Sequence, residues 1–343
     1  MDSEGANASG MPTKAILIAA ILLIIAVPIA ILFWMTAVPG RSHQGPLPRL
    51  TAEQRALSGR LRTDVTFIAR KPHNAAHLHE MEHVAQYIEM ELRQAGYAPH
   101  RQPIQGVPGT FNIEAMLEPA NGDAPTLVIG AHYDSYGTTP GANDNGSGTA
   151  ATLELARALS DLRGRSRLRL RFAFFANEEP PYFQTTHMGS LAYAKALAAG
   201  QERTLGMISL ETIGFYSDAK GSQHYPFPLS ALYPDTGNFI AFVGMTSSRP
   251  FIRATVAAFR REAAFPSVGG SAPGFVQGID WSDHWAFAQV GIPALMITDA
   301  APFRYRYYHS EADTPDRLDY DRMARVVDGV ERVVRAWARK GAL

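Results

Sequence analysis

Six residues scattered through the second and third quarters of the chain and its last tenth have the side chains that hydrolytic metal chemistry uses. They are His132, Asp144, Glu178, Glu179, Glu211 and His309. Two imidazoles and three of the carboxylates, His132, Asp144, Glu179, Glu211 and His309, make a donor set suited to zinc, which takes imidazole nitrogen and carboxylate oxygen. Three carboxylates offset most of the charge of two dications, and a carboxylate bridges metal ions roughly 3.5–4 Å apart. Asp144 is the best-placed bridge, because its loop GANDNGSG lets the backbone come close to a bound ion. Asp134, two residues after His132, is placed to orient that imidazole by a hydrogen bond. Taken singly, each of these residues is as readily a helix cap or a solvated loop side chain. Their order and position carry the reading.

That position follows from the elements around them. From about Leu50 the chain alternates helical and strand-like stretches. Leu78, Met81, Ala85, Ile88 and Leu92 recur at helical spacing, with Gly96 as a stop. Helices are also expected over Ser147–Leu162, His187–Ala199, Pro250–Ala264 and Asp316–Lys340. Strands are expected at Asn112–Leu117, in TLVIG before His132, over Leu168–Ala176 and Leu205–Ile213, and at Phe239–Val243 and Pro293–Thr298. Such alternation implies an α/β domain with a mostly parallel or mixed central sheet and helices on both faces. Ligands bind such sheets beyond the carboxyl ends of the strands. His132, Glu178, Glu179 and Glu211 follow three of these apolar runs, and His309 comes a short loop after a fourth.

The ordered motifs HYD (His132–Asp134), GANDNGSG (Gly141–Gly148), NEE (Asn177–Glu179), SLETIG (Ser209–Gly214), SDHWAF (Ser282–Phe287) and YHSEADT (Tyr308–Thr314) resemble the M28 family of zinc aminopeptidases and carboxypeptidases. The resemblance runs from roughly Leu61 to the C-terminus. It implies a single three-layer domain of the zinc-peptidase (phosphorylase/hydrolase-like) type and two Zn2+ per chain. His132 and Glu211 would hold one ion, Glu179 and His309 the other, with Asp144 between them. Glu178 would be the general base and Tyr308 would steady the tetrahedral intermediate. A cis peptide is expected at Asp144–Asn145. The chain departs from the pattern at Glu211, where the family usually has Asp; the longer arm requires the backbone to retreat or the denticity to change. Asp283 and His284 either line the pocket or, for Asp283, cap the next helix. Arg304, Tyr305, Arg306 and Tyr307 either shape specificity or form a surface loop. The expected substrate is a peptide or protein, cut most readily as an aminopeptidase would. A glutaminyl-cyclase-like acyltransferase and a non-catalytic receptor-like domain of the same fold are the alternatives.

The remaining features bound these readings. Lys plus Arg and Asp plus Glu are both 32, so net charge is zero and no nucleic-acid partner is expected. Cysteine is absent, which rules out disulfides, thiolate zinc sites, a Cys nucleophile and a lipoprotein anchor. Ala15–Met35 is uncharged and, as a helix, about 31 Å long, matching a bilayer core. The expected organisation is a tail (1–14), a single-pass membrane anchor (15–35), a Pro/Gly-rich linker (36–49) and the catalytic domain (50–343). Lys14 before the span and Arg41, Arg49 and Arg55 after it would keep the domain cytoplasmic by charge, whereas the resemblance implies an extracytoplasmic domain. His79-Glu80-Met81-Glu82-His83 also matches H-E-x-x-H, but it sits beside the apolar stripe of its helix with no third ligand following. Asn-x-Ser triplets at Asn7 and Asn145 are read as chance, the second because a glycan would block the metal loop.

Overall fold

The computed structural model describes residues 13–200, 202–225, 227 and 229–343. The tail up to residue 12, with the triplet at Asn7, lies outside the described residues. After Ala37 the chain divides into two compact units. The first is α1 (Thr13–Thr36), with Pro28 inside it. Its stretch Leu17–Thr36 has a mean hydropathy of 3.0, and length and composition suit it to cross a membrane or act as a signal sequence.

In the second unit, α2 (Ala52–Ile68) and α3 (Leu78–Gln94) precede β1 (His100–Pro103), β2 (Phe111–Leu117) and β3 (Thr126–His132). Next come α4 (Gly148–Leu159), β4 (Arg169–Phe175), α5 (Gly189–Ala199) and β5 (Thr204–Glu211). The chain closes with β6 (Ile240–Met245), α6 (Arg249–Glu262), β7 (Ser267–Ala272), α7 (His284–Gln289), β8 (Ala294–Thr298) and α8 (Tyr320–Lys340). The strands form one sheet in the order β1-β2-β4-β3-β5-β8-β6-β7. Its centre, β4-β3-β5-β8, is parallel throughout. The pairs β1–β2, β2–β4 and β6–β8 are antiparallel. The sheet is therefore mixed, as expected, and its four parallel strands are neighbours.

Period-2 alternation splits the strand side chains between two cores. On β3, Leu127, Ile129 and Ala131 face one core and Val128 the other. On β4, Leu170, Phe172 and Phe174 oppose Ala173 and Phe175 in the same way. The larger core is covered by α2, α3, α4, α6 and α8, the smaller by α5 and α7. This gives three layers. The helix α8 shows why its sequence makes a buried stripe: Met323, Val326, Val327, Val330, Val333, Val334 and Trp337 recur at helical spacing and are all buried.

Three elements were not anticipated: α2, β1 and β7. The sequence of β7, SVGGSA, carries two glycines that lower strand propensity. It is a strand because it pairs in parallel with β6. A side chain at Gly269 would meet Val256 and the Phe242 carbonyl. The last helix begins four residues later than expected, because the Asp319 carboxylate caps it by accepting from the Arg322 N–H at 2.9 Å. The segment read as a linker has no helix or strand from Val38 on, and it lies against the domain. The Arg260 guanidinium donates to the Pro39 and Gly40 carbonyls at 3.0 and 2.9 Å, and Val38 and Leu47 pack on the core.

Trp337, buried and packed with Phe251, anchors α8. Trp337→Ala is expected to cost about 3–5 kcal/mol, read as a lower denaturation midpoint of the detergent-solubilised full chain.

Candidate metal centre

The carboxyl edge of the parallel strands gathers the anticipated residues. His132 ends β3 and Glu211 ends β5; Glu178 and Glu179 follow β4 by a short turn. His309 arrives on the loop between β8 and α8. Within this edge the Asp144 carboxylate lies between two imidazoles. Its Oδ1 is 3.5 Å from His132 Nε2, and its Oδ2 is 3.0 Å from His309 Nε2. Glu211 Oε2 is 3.3 Å from His132 Nε2, and Glu179 Oε2 is 3.4 Å from His309 Nε2. Glu178 Oε2 stands at the edge, 3.8 Å from His132 Nε2. All but His309 are buried.

These spacings fit zinc. Bonds of about 2.0–2.2 Å arranged tetrahedrally place ligand atoms roughly 3.3 Å apart. His309 Nε2 and Asp144 Oδ2 approach closely without being aligned for a hydrogen bond, and both, with Glu179 Oε1, are buried polar atoms lacking a hydrogen-bond partner. Native proteins rarely leave such atoms unsatisfied. The charges point the same way. Burial, then Asp144, pushes Glu179 up to about 8. Burial, reinforced by Glu179 and Glu211 and opposed by His132, raises Glu178 well above the usual carboxylate range. Against burial, the imidazoles of His132 and His309 hold Asp144 well below it. Also against burial, Asp144 and Glu179 lift His309 to about 10. Crowded acids of this kind need positive charge among them.

The loop carrying Asp144 is held in place by side chains. Asp313 accepts from the Asn143 and Asp144 N–H groups at 2.8 and 3.1 Å. Asn143 donates to Asp299 at 3.0 Å and accepts from the Gly214 N–H at 2.9 Å. Asn145 donates to the Leu210 carbonyl at 2.9 Å, and its carbonyl oxygen accepts from the N–H groups of Gly148 and Thr212. The loop is thereby bound to the end of β5 and to the segment after His309. A Cβ at Gly148 would fall 2.1 Å from the Leu210 carbonyl, so only glycine lets the strand and loop come this close. The Asp144–Asn145 peptide is cis. Asn177, Thr212 and His309, each at or beside a clustered residue, have φ of 60°, 45° and 55°. Left-handed backbone at a β-branched Thr is costly and is held only by its surroundings.

Several residues take places other than those expected. Asp134 meets the His132 ring with its main chain as well as its carboxylate. His132 Nδ1 donates to the Asp134 main-chain carbonyl at 3.0 Å, while the carboxylate stands 3.6 Å away. That carboxylate also accepts from the N–H groups of Glu178 and Glu179, at 3.2 Å each, and so fixes the turn after β4. Asp283 makes no side-chain capping bond to α7. It is fully buried, its pKa raised to about 7 by burial, and its charge is felt at Glu178. His284 is fully buried and donates from Nε2 to the Ile279 carbonyl at 2.8 Å. Glu211 is steadied by the Ser282 hydroxyl at 2.7 Å. The 304–307 segment splits: Arg304 is buried and donates to Gln223 and to the Phe239 carbonyl, and Tyr305 donates to Asp313, while Arg306 is exposed. Asn145, a glycosylation triplet in sequence, is buried. His79, Glu80 and His83 come together on α3 but share no residue with the central cluster, and both rings are exposed.

Sequence reasoning assigned no role to Asp299, Asp313, Asn143, Asn145, Ser282 or Tyr136, although most lie inside the quoted motifs. Tyr136 and Tyr308 stack on His309 with ring centroids 3.9 Å away in each case and planes tilted by 4° and 16°. Two near-parallel rings at that spacing must occupy opposite faces, so His309 is sandwiched between phenols.

A model of Peptidase family M28 matches residues 112–334. The uncharacterized protein YfbL of Escherichia coli is 39% identical over 323 residues, covering 90% of this chain and 95% of that protein. Aminopeptidase YwaD of Bacillus subtilis is 29% identical over 227 residues, 65% of this chain but only 44% of that enzyme's length. In structure, an aminopeptidase from Aneurinibacillus sp. strain AM-1 superimposes with a TM-score of 0.61 at 19% identity, covering 83% of this chain and 96% of that one, a likeness of fold.

Two expectations follow from this site. Burial lowers His284 to about 4 from 6.5, so the imidazole is neutral in the fold and takes up a proton on unfolding between those values. Its contribution is complete above pH 6.5 and is lost as pH falls toward 4, about 3 kcal/mol in all. Denaturation of chelator-stripped wild type and His284→Asn across that range should show the shallower pH slope in the variant. Tyr136→Ala should weaken zinc binding about 3- to 10-fold in chelator competition, with Tyr136→Phe close to wild type.

Proposed function

Since the chain belongs to peptidase family M28, we propose that it is a zinc-dependent exopeptidase, acting as an aminopeptidase on peptides or proteins. The observation that carries this reading is the Asp144 carboxylate, with one oxygen toward His132 and Glu211 and the other toward His309 and Glu179. Those two sets would each hold one Zn2+. Bound there, zinc supplies Lewis acidity to a peptide carbonyl and lowers the pKa of water. Glu178, left over from both sets, accepts a proton at its carboxylate from the attacking water and delivers it to the leaving amine. The Tyr308 phenol, stacked on the His309 ring, donates to the developing oxyanion. Asp134 keeps Glu178 and Glu179 divergent by holding both of their N–H groups. In this proposal α1 anchors the chain in a membrane with the catalytic unit on the extracytoplasmic side.

Glu178→Gln should lower kcat by about 10²–10⁴-fold while the central cluster keeps its two zinc ions. Glu80→Gln should leave kcat unchanged. Wild type should cleave aminoacyl anilides, spare N-blocked peptides and lose activity to chelators. Cleavage of blocked peptides alone would overturn the aminopeptidase assignment, and one zinc per chain with cyclisation of glutaminyl peptides would replace the hydrolase.

A further inference from the structure

The H-E-x-x-H segment is absorbed by nothing in the central cluster, yet the fold assembles it. His79 and His83, four residues apart, project from the same side of the first turns of α3 (Leu78–Gln94). Their rings lie 4.2 Å apart, and one ligand atom from each, with one carboxylate oxygen of Glu80, fall within 4.8 Å of one another. Lys71 Nζ engages one Glu80 oxygen at 2.8 Å, which leaves the other facing His83 Nδ1 at 3.5 Å. Both imidazoles are exposed, so a metal can reach them and water can complete its coordination.

We infer that His79, His83 and Glu80 form a peripheral site for a borderline divalent transition metal, Zn2+ or Cu2+, distinct from the central cluster. Two imidazoles and one carboxylate match these ions, with Cu2+ bound more tightly than Zn2+ at the same donors. Exposure sets its character. Both rings stand in solvent, which water shares, so the site is a ligand site and not a second catalytic centre. Occupancy would also tie together the first two turns of a helix whose capping residue, His77, makes no side-chain capping bond. That end of α3 abuts the loop following His132, because Asn74 donates to the Ser135 and Gly137 carbonyls at 2.7 and 2.8 Å.

The test compares the full chain in detergent with its His79→Ala/His83→Ala variant, both stripped of metal and reloaded with Zn2+ at pH 7.5. Wild type is expected to bind one more equivalent than the variant, at least about tenfold more weakly than its central zinc. Peptidase activity should be the same in both. Cu2+ added to the zinc-loaded chains should give an electron paramagnetic resonance signal with nitrogen hyperfine structure in wild type and lose it in the variant. Equal zinc equivalents and identical copper spectra would overturn the proposal. His79→Gln, a milder change at an exposed helical position, repeats the comparison if the double variant folds poorly. Because the readout is a difference between two chains, it stands whether the central cluster takes one zinc or two.

Discussion

A carboxylate buried between two imidazoles, with three more carboxylates in the same space, is expensive to assemble without bound cations. Asp144 holds that position, and much of the surrounding structure serves to keep it there. Its loop cannot rely on regular backbone pairing, so side chains supply the missing partners. Asp313 takes two successive N–H groups, Asn143 spans to Asp299 and Gly214, and Asn145 spans to Leu210 and Thr212. These bonds link the loop to the ends of β5 and β8 and to the chain after His309. The loop is thus fixed by the sheet edge rather than by its own sequence. The cluster depends in turn on four parallel strands being neighbours, because only then do residues after β3, β4, β5 and β8 converge.

The acids have separate environments despite their crowding. The two imidazoles hold Asp144 low against burial, while burial and neighbouring charge raise Glu178 and Glu179. Two adjacent glutamates can serve different ends because their backbone is fixed by a single carboxylate, that of Asp134, which bonds to both N–H groups. Strain is concentrated at the same places. Left-handed Asn177, Thr212 and His309 re-aim the chain just before Glu178, just after Glu211 and at the last imidazole. The phenol sandwich around His309 offsets its partial exposure, confining a ring that burial alone does not immobilise.

Glu211 shows how a departure from a family pattern is accommodated. Its additional methylene does not carry the carboxylate out of reach, since Oε2 stands 3.3 Å from His132 and Ser282 bonds to that same oxygen. The two metal-like motifs in the chain differ in kind. His79 and His83 are adjacent because a helix places residues four apart on one side, which any helix does. His132 and His309 meet across 177 positions of sequence, and their surroundings are buried and acidic.

The amino-acid sequence by itself determined the α/β class, the strands at the centre of the sheet, and the six residues that gather in the cluster. Apolar runs of strand length and polar residues just past them are local patterns, and they survive in one dimension. The glycine-poor, strongly periodic stripe of α8 was legible for the same reason. Tertiary structure decided what depends on distant partners. It made SVGGSA a strand by pairing it with β6, turned the Asp134 carboxylate toward the Glu178–Glu179 backbone, and sent Arg304 inward while Arg306 stayed in solvent. Asp299, Asp313 and Tyr136 gained their places the same way. A hydrogen bond or a ring stack is a relation between two points in space, and neither residue's own neighbourhood in the chain records where the other will be.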